Sequence, residues 1–122
     1  MLGVSTIAEE ILEVKKKRHA VILAHHYQEP EIQEIADSIG DSLELARIAK
    51  KFDGDVIAFC GVRFMAETAK VVNPERVVVL PDINAGCSLV DSCPAEAVRA
   101  FRKRNPGHVI VSYINTSTEV LM

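Results

Sequence analysis

Two histidines and a tyrosine stand together at His25-His26-Tyr27, directly after the unbroken apolar run Ala20-Val21-Ile22-Leu23-Ala24. On an extended backbone adjacent side chains point to opposite faces, which disfavours a metal held between His25 and His26. A histidine with a phenol two positions on fits proton transfer, because imidazole titrates near neutrality and a phenol can donate or accept. The competing reading is a loop histidine that merely satisfies its own polar atoms. Ser42, in Gly40-Asp41-Ser42, lies at a helix start where free N–H groups and the dipole favour a carboxylate or phosphate; an ordinary N-cap is the plainer alternative. Tyr113 and Asn115 follow a second apolar run, 108–112, at a spacing that points both to one face of a strand end, and Asn115 could recognise a ligand or stabilise a turn. Cys87 sits in the small-residue loop Asn84-Ala85-Gly86-Cys87-Ser88, open to a cofactor approaching the backbone. Cys93 follows at a spacing that matches no standard zinc or ferredoxin pattern, and Cys60, ending an apolar run, reads as a buried small hydrophobe. These cysteines alone are too few to ligate a cluster.

The elements that must position these residues alternate helix with strand. Thr6 and Glu9 form a capping signal for a helix over 6–18, with Ile7, Ile11 and Val14 in helical register, and a strand over 20–24 ends at His25. Pro30 opens a second helix whose stripe is Ile32, Ile35, Ala36 and Ile39, closed by Gly40 in a left-handed turn. Asp41 or Ser42 caps a third helix with Leu45, Ile48, Ala49 and Phe52 inward. Strands are expected at 56–60, 77–80 and 108–112, with helices at 62–72 and 94–104, the last after an Asp91-Ser92 cap. This order predicts an α/β fold with a parallel sheet between helices, its ligands bound beyond the carboxyl ends of the strands. Residues 21–27 also echo 109–115 at an offset of 88 positions, 109 minus 21, which reads as two related helix–strand units facing a shared site.

Composition narrows the function classes. At 122 residues and 48% apolar, the chain can bury one core but not two ordinary domains. A net charge of -3 gives no footprint for nucleic acid or anionic membrane, and the run Lys15-Lys16-Lys17-Arg18 suits the last turn of a helix. No signal-peptide core or membrane-length apolar span is present, so a cytoplasmic location is expected, where three cysteines read as thiols or metal ligands. A stand-alone flavodoxin-like enzyme is disfavoured by the lack of a complete G-x-x-x-x-G-K phosphate loop.

The motifs together resemble one family. Leu23-Ala24-His25-His26-Tyr27-Gln28-x-Pro30-Glu31-Ile32-Gln33, Ala36-Asp37-x-x-Gly40-Asp41-Ser42-Leu43, Gly61-Val62-x-Phe64-Met65-Ala66-Glu67-Thr68-Ala69-Lys70, Asn73-Pro74, Pro81-Asp82, Ala85-Gly86-Cys87-Ser88-Leu89 and Tyr113-x-Asn115 occur in the order and spacing of the quinolinate synthases, over about 4–119. The resemblance implies a transferase of NAD biosynthesis that condenses iminosuccinate with dihydroxyacetone phosphate to quinolinate, losing phosphate and two waters. It implies three α/β/α domains about a pseudo-threefold axis, each giving one cysteine to a [4Fe–4S] cluster whose fourth iron acts as a Lewis acid. By motif, Cys87 is a cluster ligand; His25, Ser42, Tyr113, Ile114 and Asn115 bind substrate; and His25 with Tyr27 assists proton transfers. A functional link to L-aspartate oxidase or aspartate dehydrogenase is implied as well.

Against that pattern the chain ends a few residues after Tyr113-x-Asn115, without counterparts of the other two cluster cysteines. The expectation is a first domain over 1–88 and the beginning of a second over 89–122. A fragment, a split enzyme completed by another chain, and a homotrimer with three copies of Cys87 about a true threefold axis all fit; the missing remainder of the second domain favours the fragment. The isolated chain is then expected to be inactive, and its unfinished edges and apolar faces to promote self-association or poor solubility. The alternative in another class is a non-catalytic dicarboxylate-binding or assembly module completed by a partner chain.

Overall fold

The computed structural model describes residues 6–122. Helix α1, Ile7–Lys17, begins at a reciprocal capping box: the Glu9 N–H donates to Thr6 Oγ1 at 3.2 Å and the Thr6 N–H to Glu9 Oε2 at 3.0 Å. Strand β1, Ala20–His25, is buried from Val21 onward, as its unbroken apolar run requires. It pairs in parallel with β2, Ser38–Gly40, on one side and β3, Val56–Cys60, on the other; β4, Val77–Val79, completes a four-stranded all-parallel sheet of order β2-β1-β3-β4. An α/β fold is what the alternation of elements predicts.

Pleating divides the sheet's residues between two faces. Val21, Leu23, Ile57 and Phe59 turn toward helices α3, Ser42–Ala49, and α4, Arg63–Val72, where Leu45, Ala49, Phe64 and Ala69 close the main core. The opposite face meets α1 across a groove of about 620 Å³, lined by Ile11, Val14, Ile22, Val56 and Val79 among others. Arg76, after α4, donates through its guanidinium to the carbonyls of Ala49 and Phe52 and so fastens the end of α3 to the start of β4.

Two expectations are corrected. The second helix, α2, runs only Pro30–Ile35, and Ser38–Gly40, expected to finish it, forms edge strand β2. Gly40 is not left-handed; among the described residues positive φ occurs at His19 (50°) and Gly107 (83°). The cause is Asp37. Its backbone N–H donates to the Ile22 carbonyl at 2.7 Å, its Oδ2 accepts the Ile22 N–H at 2.7 Å, and its Oδ1 pairs with Lys15. One residue thus extends the short β2 ladder along β1, outcompeting the last helical turn.

The strand expected at 108–112 does not form. Those residues lack regular structure, with Val109 89% and Val111 90% exposed, because no described strand offers them a ladder. The echo of 21–27 in 109–115 is therefore not matched by a second strand. Around this stretch lie the short helix α5, Ser88–Asp91, then α6, Ala95–Arg104, and α7, Thr118–Leu121. The N-cap position of α6 is Pro94 rather than Asp91 or Ser92.

The dual role of Asp37 sets a stability test. Asp37→Ala removes a charge-assisted hydrogen bond to a strand N–H and is expected to cost about 2 kcal/mol in urea denaturation, with Asp37→Asn costing less because it keeps an acceptor for Ile22.

Candidate functional site

In the strand order β2-β1-β3-β4 the chain's direction of travel across the sheet reverses between β1 and β3, and beyond the carboxyl ends of such a strand pair is the place where these sheets bind ligands. His25 ends β1 there, on the face shared with Val21 and Leu23, and is only 5% exposed. Its Nδ1 accepts the Tyr27 N–H at 3.2 Å, so the neutral ring carries its proton on Nε2. Burial lowers the His25 pKa below its ordinary 6.5, His26 lowers it further, and Asp41 partly opposes both. The result is a neutral imidazole with an Nε2–H donor to offer.

The chain turns immediately after His25, the Gln28 N–H donating to the His25 carbonyl at 2.9 Å. The side chains of His25, His26 and Tyr27 therefore do not splay to opposite faces as an extended backbone would place them. Their rings cluster, with centroids 4.3 Å apart for His25–His26, 4.7 Å for His25–Tyr27 and 4.5 Å for His26–Tyr27. Tyr27 is 84% exposed, so its phenol lies at an open rim rather than in a shielded pocket.

Beside this cluster, Gly40 is the β2 partner of His25 and accepts the His26 N–H at 3.1 Å. The next residue, Asp41, is the N-cap of α3, its Oδ1 accepting the Glu44 N–H at 2.8 Å. Ser42 is thus the first helical residue and not the cap. It is buried, and its hydroxyl makes no hydrogen bond among the described residues. With Asp41 engaged at the third turn position, the N–H groups of Ser42 and Leu43 remain to face a ligand, an arrangement suited to a carboxylate or phosphate.

Cys87 occupies a second region. The Arg63 N–H, opening α4, donates to the Ala85 carbonyl at 2.9 Å, and this holds the 81–87 loop over the helix start. The Cys87 thiol is half-buried in a cleft of about 570 Å³, shared with Arg63, Glu67, Asn84, Cys93 and Thr118. Among the described residues no three His, Cys, Asp or Glu side chains converge as a metal-ligand set. Cys60 lies half-buried at the end of β3, and burial pushes its thiol pKa up, as suits a packing residue.

The structure brings His25, Tyr27 and the Gly40-Asp41-Ser42 turn together. It does not join them to Tyr113, Ile114 and Asn115, whose side chains share no hydrogen bond or ring contact with His25; Tyr113 is 74% exposed. Asp41 is the charged neighbour of His25 that motif reading treated only as a cap. Glu67 belongs to the motif without an assigned role and Arg63 falls at an unspecified position of it; the two pair at 3.1 Å, and an i, i+4 pair is ordinary helix decoration in sequence.

The family model for "Quinolinate synthetase A protein" matches residues 9–121. The chain belongs to that family. Similar members include the quinolinate synthase of Nostoc punctiforme, 63% identical over 110 residues, which are 90% of this chain and 34% of the relative. That of Chloroherpeton thalassium is 57% identical over 112 residues, 92% of this chain and 35% of the relative. That of Thermus thermophilus is 55% identical over 114, or 93% and 37%. The chain therefore spans about a third of the length of the curated relatives it matches. Within the quinolinate synthetase A match lie all the candidate residues from His25 to Asn115.

His25 supplies a pH test. Folding favours its neutral form, so the unfolded chain binds more protons once the pH drops below the ordinary 6.5. Stability present above that value declines as the pH falls through the lower folded pKa. Urea denaturation across this range is expected to show the decline, and His25→Asn to flatten it. Nitrogen-resolved NMR of the imidazole should give a titration midpoint below 6.5 and, above it, the Nε2–H tautomer.

Proposed function

We propose that this chain forms the first part of a quinolinate synthase, contributing the dicarboxylate-binding edge and one cluster ligand to the condensation of iminosuccinate with dihydroxyacetone phosphate in NAD biosynthesis. The observation that carries the reading is the juxtaposition of a neutral, Nε2-protonated His25 with the uncommitted Ser42 hydroxyl and helix N-terminus across the β1–β2 pair. An anionic substrate group would be held by the Ser42 and Leu43 N–H groups, and the Nε2–H of His25 would hydrogen-bond a second oxygen or an imine. Tyr27 at the rim would relay protons once substrate covers it. Tyr113, Ile114 and Asn115 would close the same substrate from the other side.

Cys87 suits a [4Fe–4S] ligand, since its thiol lines a roomy cleft on a loop of small residues. When bound, the cluster supplies a Lewis-acidic iron to the substrate. One cysteine is one ligand, so the others would come from polypeptide outside residues 6–122, in keeping with a first domain over 1–88 and the start of a second over 89–122. The assembled enzyme would work in the cytoplasm with a source of iminosuccinate such as L-aspartate oxidase or aspartate dehydrogenase.

The test is complementation. The chain is co-expressed with the remaining two-thirds of the Nostoc punctiforme relative, loaded anaerobically with iron and sulfide, and assayed for quinolinate and for iron by native mass spectrometry. Quinolinate formation is expected, with Cys87→Ala losing the cluster, His25→Ala lowering kcat by about a hundredfold or more, and Ser42→Ala raising KM by about tenfold. Undiminished turnover in Cys87→Ala or His25→Ala would overturn the assignment. Dicarboxylate binding that depends on Ser42 without any turnover would favour a non-catalytic binding module.

A further inference from the structure

The N-terminal half of α4 carries bonds that no catalytic role accounts for. Arg63 donates through its backbone N–H to Ala85 in the Cys87 loop at 2.9 Å, and through Nε to Glu67 Oε1 at 3.1 Å. The other carboxylate oxygen, Glu67 Oε2, accepts both the N–H and the Oγ1–H of Thr118, at 3.2 and 3.1 Å. Thr118 stands three residues beyond Asn115. Among the described residues the other hydrogen bonds of 106–122 are local, such as Thr116 N–H to the Ile114 carbonyl, and the buried Thr116 hydroxyl has no partner there. Among the described residues, what ties the Tyr113–Asn115 segment to the sheet-bearing part of the chain by hydrogen bonds is therefore Glu67.

We infer that Glu67 is a positioning residue: with Arg63 it clamps the segment bearing Tyr113 and Asn115 against the loop bearing Cys87, so that the two arrive in one place. The inference rests on the reading above only for what the clamp serves. A carboxylate is required because three donors converge on it, one on Oε1 and two on Oε2, and an ionised acid has acceptor sites for all of them. Glutamine has the same shape but one acceptor oxygen, so it must turn an N–H toward either Arg63 or Thr118. Releasing Thr118 also opens the cleft around Cys87, because Ser117, Thr118 and Glu119 form part of its wall.

The experiment is site-resolved hydrogen exchange on the 122-residue chain, together with the rate of Cys87 alkylation by iodoacetamide read by peptide mass spectrometry. Glu67→Gln and Thr118→Val are expected to speed amide exchange over residues 113–121, Glu67→Gln by about tenfold, and to speed Cys87 alkylation severalfold, while β1 and β3 amides stay protected. The double variant should exchange no faster than Glu67→Gln alone, and Thr118→Ser should restore the original rates. Lys70→Met, at the far end of the same helix, should leave both readouts unmoved. Glu67→Gln behaving as the parent chain, or loosening β1 and β3 as much as residues 113–121, would refute the clamp. Neither readout needs turnover, so the clamp and the proposed reaction fail separately: absent quinolinate formation with the exchange pattern intact would discard the reaction alone.

Discussion

Everything in this molecule depends on β1 being hydrogen-bonded on both edges and covered on both faces. Such a strand has no exposed side on which to carry polar groups, so its chemistry can only appear where it ends, and it ends at His25. Parallel pairing brings the ends of β2 and β3 to the same level, His25 opposite Gly40 and Ala24 opposite Cys60. The start of α3 follows β2 directly and the start of α4 follows β3 within a few residues, so both helix N-termini inherit that level from the sheet register. The site edge is a consequence of strand pairing before any side chain is chosen for it.

On this edge the two helix starts do different work. The first turn of α3 leaves donors uncommitted: Asp41 takes one N–H as cap, and Ser42 is left buried with a free hydroxyl. The start of α4 is instead tied to protein, the Arg63 N–H donating to Ala85 in the Cys87 loop and Glu67, further along the helix, accepting from Arg63 and Thr118. An open N-terminus can receive an anion, whereas an occupied one can only hold protein segments in place. Electrostatics agrees with that division, since Asp41, which opposes the lowering of the His25 pKa, has its Oδ1 held by the cap hydrogen bond from the Glu44 N–H.

Much of the fold was legible because it follows from side-chain type at short range. The capping box of Thr6 and Glu9, the apolar runs that became β1 and β3, and the α4 helix all form where periodicity places them. The end of α2 was not legible, because it is decided by Asp37 bonding to Ile22, fifteen positions away in sequence, and a helical stripe through Ile39 carries no sign of that. Residues 108–112 have a strand's composition, yet a strand is a relation between two segments and the described residues contain no second one for them. His25, Ser42 and Cys87 stood out by residue type and neighbourhood. The tautomer of His25 did not, for it rests on a backbone N–H reaching Nδ1 after a turn that an extended reading would omit.

The same distinction explains why His25, Tyr27 and Ser42 are brought together here while Tyr113 and Asn115 are not joined to them. The first group is placed by consecutive elements of one sheet, whose pairing is local enough to complete within the described chain. Among the described residues the second group is hydrogen-bonded to a helix of that sheet through one carboxylate, Glu67, and its apolar run is exposed to solvent. A few hydrogen bonds to a half-exposed carboxylate can bias where such a segment lies but cannot supply the burial that fixes a strand. The geometry of the His25–Ser42 edge is thus set by the sheet itself, whereas Tyr113 and Asn115 are held by the Glu67 tether while Val109 and Val111 stand exposed. Precision at this site follows from how many packed neighbours stand behind each residue, and by that measure His25 is the fixed point to which the others must be brought.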